Sequence, residues 1–84
     1  MSALLAHGRM AEAHWRQHCP QLVRELEASG QLSAALLEAQ ERTLDEMEAS
    51  MWEFRRQGLT LQQAHDQAWE LVREKYVLRP SERP

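Results

Sequence analysis

LSAALLEAQERTLDEMEASMWEFRRQ, residues 32–57, is the stretch whose reading decides the fold. It holds no glycine or proline and is built mainly from Leu, Ala, Glu, Gln, Met and Arg, the residues that lose least on entering a helix. Taking Leu37, Leu44 and Met51 as one heptad position places Gln40, Met47 and Phe54 three residues further on. Five of these six positions are apolar, the pattern of a coiled-coil-like seam about 35 Å long. The remaining faces carry Glu38, Glu41, Arg42, Asp45, Glu46, Glu48, Glu53, Arg55 and Arg56. Such a helix has to set its apolar stripe against something. In this register Leu44 belongs to the core, where truncation to Ala costs ~2–5 kcal/mol, and Glu46 belongs to the solvent face, where the same change costs little.

Punctuation on either side defines the neighbours. Gly30 and Gly58 stand where a helix end needs a left-handed residue, and Pro20 suits a first helical turn. The spacing therefore predicts helices over 2–18, 20–29 and 60–76 beside the long one. The first uses Leu4, Ala11, Trp15 and Met10, and Gly8 weakens it enough for residues 1–8 to fray. The second sets Leu22, Val23 and Leu26 on one side. Thr60 and Gln63 form a capping box for the last helix, with Leu59 and Ala64 placed for a hydrophobic staple. Its apolar face uses Leu61, Ala64, Ala68, Leu71, Val72 and the ring of Tyr76. The short link at Gly58 makes the last two helices an antiparallel hairpin. Val77, Leu78 and Arg79 read as extended because Pro80 follows. The expected organisation is one helical domain over 1–79 and a flexible tail over 80–84.

Composition supports an all-α class, a small bundle of about four helices. The chain has 84 residues, no Ile or Asn, and only Val23, Val72 and Val77 as valines, so a sheet has little to be made from. At this length a core is marginal without disulfides, metal, very regular helices or a partner. Cys19 is the only cysteine, which excludes an intrachain disulfide and suits a reducing compartment. No stretch approaches the ~20 apolar residues of a membrane span, and residues 1–10 lack the long apolar region of a signal peptide. A cytoplasmic location is the expectation. The formal net charge is −3. Residues 32–58 hold six acids against Arg42, Arg55 and Arg56, whereas the two flanks are balanced. A negative central surface repels phosphate backbones, so no direct nucleic-acid binding is expected.

Chemistry-bearing constellations are sparse. His14 and His18 are four apart, the spacing of two metal ligands on one helix face, with Cys19 adjacent. A zinc site needs three or four ligands, and the only other histidines are His7 and His65. Cys19 as a nucleophile would need a base and an oxyanion site, yet neighbouring side chains such as His18 diverge on a helix. Carboxylate pairs such as Glu41 and Asp45 read as a solvated face. Residues 20–57 resemble a helix-turn-helix only in outline, because Glu38, Glu41 and Asp45 would face the phosphates. No catalytic residue, metal ligand or cofactor is assigned, and the chain is expected not to be an enzyme. Trp52 lies off the seam. One reading has it covered by the first helix or by Val77 and Leu78; the other makes it a partner contact, since tryptophan is enriched in interface hot spots.

The segments HWRQHCPQLVRELEASGQL (14–32), LLEAQERTLDEM (36–47) and QAWELVREKYVLRPSE (67–82) resemble small helical proteins of the transposon-encoded TnpV type. The matching residues are Trp15, Arg16, Pro20, Leu26, Ser29, Gly30 and Leu32, and more loosely Trp69 and Glu70. The resemblance spans 14–82 and follows helix punctuation more than chemistry. It implies an accessory protein of a mobile element or gene cassette, and no activity or ligand.

The sequence thus leads to an interaction module. The long helix outlasts its shorter neighbours, so Leu37, Leu44, Met47, Met51, Trp52 and Phe54 are the expected interaction residues. The expected partner is a second copy, forming a homodimer that crosses near Met47 and Met51, where methionine adapts to irregular contacts; another protein is the alternative occupant. A rival reading is a regulator acting on a nucleic-acid-binding partner, its acidic helix imitating a phosphate backbone.

Overall fold

The computed structural model describes residues 4–82, an all-α bundle of four helices: α1 Ala6–His18, α2 Pro20–Ala28, α3 Leu32–Arg56 and α4 Leu61–Tyr76. Residues 1–3 and 83–84, including the expected helix start at Ser2, lie outside this range.

The glycines do what their positions predict. Gly30 and Gly58 have φ of 70° and 98°. After α2, Gly30 N–H donates to Glu27 O at 3.0 Å and Gln31 N–H to Leu26 O at 2.8 Å. After α3, Gly58 N–H donates to Arg55 O at 3.0 Å and Leu59 N–H to Phe54 O at 3.2 Å. Both are complete Schellman closures, which satisfy carbonyls that a helix end otherwise leaves unpaired. The Thr60–Gln63 capping box is formed in both directions, at 3.2 and 2.9 Å. The Gly58 link turns α4 back along α3, and these two helices share the largest interface of the chain.

α1 lies across both, running in the same sense as α4. Its His7 ring stacks on Trp69 and its Trp15 Nε1 donates to Tyr76 O at 3.0 Å. The main core gathers Ala11, Trp15, Cys19, Val23, Leu36, Ala39 and Val77. A smaller cluster of Met47, Ala68 and Val72 joins α3 to α4.

Several expectations change. The register of α3 is rotated: its buried residues are Leu36, Ala39, Gln40, Thr43 and Met47, while Leu44 is 43% exposed. The helix meets α4 and α1 on two adjoining sides, so its buried arc is centred away from the heptad seam. Glu46, placed on the solvent face by that seam, instead turns toward α4 and takes Lys75 Nζ at 2.9 Å. Gly8 is no weak point but a buried position where α1 and α3 approach closely; a Cβ there would lie 2.6 Å from Gln40 Oε1. Val77 is αR, closing α4, and is fully buried rather than extended. Finally, Glu82, in the segment expected to be a flexible tail, accepts with its carboxylate from Gln21 and Leu22 N–H at 2.9 and 3.1 Å. Those amides open α2, whose N-cap residue Cys19 supplies no side-chain bond.

Candidate interaction surface

The rotated register leaves part of the apolar stripe uncovered. Beyond the arc that faces α1 and α4, α3 presents Leu44, Glu48, Met51, Trp52 and Arg55, a run with the 4–3–1–3 spacing of one helix side. His7 from α1 and His65 from α4 close the opposite wall, and Met47 forms the floor. The result is an open, largely apolar groove of about 480 Å³.

Its residues differ in how they are held. Met47 is buried, Met51 half-buried, and Trp52 is 63% exposed. Neither α1 nor Val77 and Leu78 covers Trp52; Val77 and Leu78 pack in the main core instead. The Arg56 guanidinium lies over the indole, 4.9 Å from the ring centre, a cation–π contact that leaves much of the ring exposed. His7 is held below the ordinary histidine pKa, first because it is partly buried and second because His65 stands near it.

Of the six expected interaction residues, the structure brings Leu44, Met47, Met51 and Trp52 to this groove. Leu37 and Phe54 are half-buried and do not line it. Glu48 and Arg55 were missed, although the 44–48–51–55 spacing already put them on that side. His7 and His65 had no signal in the sequence, because their position depends on how α1 and α4 dock.

No family model, curated protein or solved structure matches this chain. The His14 and His18 rings lie 4.5 Å apart, and His14 Nε2 is 2.7 Å from Arg79 O. Among the described residues no group of three His, Cys, Asp or Glu side chains is placed to hold a metal ion. The Cys19 thiol is buried and donates to Pro80 O at 3.5 Å. A second, smaller concavity of about 240 Å³ lies between Trp15, Arg42, Tyr76 and Arg79. Arg42 there pairs with Glu38 at 2.9 Å, and the Arg79 guanidinium lies over the Trp15 ring. Among the described residues no helix is long and apolar enough to cross a membrane.

Proposed function

We propose that this chain is a non-enzymatic helical interaction module that associates with a second copy through the open face of α3. The observation that carries the reading is the groove around Leu44, Met51 and Trp52, where a large indole and a leucine stand exposed beside a methionine floor. Solvated tryptophan next to adaptable methionine is the composition of a protein contact.

Shape and surface support it. The radius of gyration is 14.3 Å, against about 12 Å for a compact domain of this length. The molecule is a slab of 46 × 34 × 14 Å. Its accessible surface is 5998 Å² for 9.8 kDa, against about 5,200 Å² for a compact monomer. The excess is similar to the ~800 Å² that one partner contributes to a standard interface. The resemblance to TnpV-type proteins adds a setting, an accessory protein of a mobile element, which the neighbouring genes would test.

Sedimentation equilibrium across the micromolar range is the direct experiment. The expected result is a dimer mass that Trp52→Ala shifts toward the monomer. A single species of monomer mass at every concentration would overturn the reading.

A further inference from the structure

The groove face of α3 carries two charges among its apolar residues, Glu48 and Arg55. They are seven residues apart, two helical turns, and so stand one above the other on the same side of the helix. Among the described residues neither belongs to an ion pair. The ion pairs made by α3 are Arg42–Glu38, Arg56–Glu53 and Glu46–Lys75. Arg55 donates Nη1 to Leu59 O at 3.1 Å, a contact with a neutral carbonyl that leaves its charge uncompensated. Two unpaired charges of opposite sign therefore flank Met51 and Trp52, the apolar centre of the exposed face.

A pair of identical chains related by a twofold axis must present a self-complementary surface, in which residue i meets j and j meets i. Parallel helices in register would set Glu48 against Glu48 and Arg55 against Arg55, two like-charge contacts. Antiparallel helices whose axis falls midway between the two residues set each Glu48 against an Arg55. That midpoint lies between Met51 and Trp52. The same register places each Met51 opposite a Trp52 of the other copy. Charge and apolar complementarity thus select the same alignment.

We propose that the occupant of the groove is a second copy of this chain lying antiparallel across α3, with Glu48 and Arg55 paired reciprocally about a twofold axis between Met51 and Trp52. The proposal rests on the self-association reading and adds its orientation and register. Other helical segments could match the apolar groove, but a reciprocal charge pair on one helix is matched by a copy of itself.

Charge reversal tests it on the full chain, by sedimentation equilibrium at low salt. Both side chains are exposed, and Glu48 makes no ion pair within the described residues, so Glu48→Arg is the cleaner variant; circular dichroism checks that helix content is retained. Glu48→Arg and Arg55→Glu alone should each weaken the dimer about tenfold, because each creates two like-charge contacts. The double variant should return to near the wild-type affinity, and an equimolar mixture of the two single variants should form a heterodimer. Single variants as dimeric as the wild type would overturn the antiparallel register while leaving self-association standing. Weakened single variants with no recovery in the double variant or the mixture would overturn the reciprocal pair. A wild-type chain that stays monomeric would overturn the self-association reading, and this proposal with it.

Discussion

Gly8 and Gln40 form a matched pair. The Gln40 side chain is 4% exposed, and its Oε1 accepts the Leu5 N–H that begins α1, an amide that has no side-chain cap from its own helix. An Ala Cβ at Gly8 would collide with that oxygen. In an open helix Gly→Ala gains about 1 kcal/mol. Here Gly8→Ala should destabilise the wild-type chain, because it displaces a buried hydrogen-bonding group. In a Gln40→Ala background the same change should cost less, although the Leu4 side chain, 2.8 Å from the added Cβ, must still give way; a double-mutant cycle in urea reads the difference. His7 supplies a second prediction. Its folded pKa is depressed, so the unfolded chain binds the proton more readily. The stability it contributes is present above about pH 6.5 and is lost as pH falls through the lower, folded value. His7→Phe preserves a ring against Trp69 and should flatten urea midpoints between pH 7.5 and 5.5. An unchanged slope there would mean that His7 does not carry it.

The rotated register of α3 inverts what its pattern implied about two side chains. Leu44 is nearly half exposed, so Leu44→Ala should cost the monomer about 1 kcal/mol rather than the full burial penalty. Glu46 is held well into the ionised form, first by the Tyr76 hydroxyl beside it and then by Lys75. A depressed carboxyl contributes stability above its unfolded pKa and loses it as pH falls through the folded value. Glu46→Ala should therefore cost stability at pH 7 instead of being neutral, by an amount that solvent and salt screening of the exposed Lys75 pair reduce, and its effect should fade below about pH 4.5. Chemical denaturation of the dilute, monomeric chain measures both. On α2, the carboxylate of Glu82 occupies the place of a missing cap at a positive helix end. Glu82→Ala should lower stability by about 1 kcal/mol. The sharper readout is faster hydrogen exchange at the Gln21 and Leu22 amides, with the Val72 amide in α4 as the internal control.

Over the whole molecule the charges disperse. Arg16 pairs with Glu12 and Glu27, Arg42 with Glu38, Arg56 with Glu53 and Arg73 with Glu70. A nucleic-acid surface needs a one-sided basic stripe, and pairing of this kind neutralises its components. The chain alone should give no mobility shift with duplex DNA at micromolar protein, even at low salt where phosphate contacts are strongest. A shift that disappears as salt rises would show that Arg9, Arg24 and Arg79 converge with others on one face, and would favour the rival regulator reading.

Helix number, the two glycine closures and the Thr60–Gln63 cap were all legible in the sequence, because each depends on residues within six positions of one another. So was the presence of an apolar stripe on α3. Which part of that stripe is buried was not legible. The heptad seam is a property of α3 alone, whereas the buried arc is set by two neighbours, α4 and α1, that approach from different sides. That docking buries Gln40 and Thr43 and leaves Leu44 and Trp52 in solvent. Gln40 bonds the start of α1, and the Thr43 hydroxyl donates to Ala39 O at 2.7 Å, so neither polar group is buried unpaired. The same docking brings His7 and His65, 58 residues apart in sequence, to one groove. It also carries Glu82 back to the amides of α2. Local sequence determined the helices and their ends; long-range packing decided which faces they hide and which they offer.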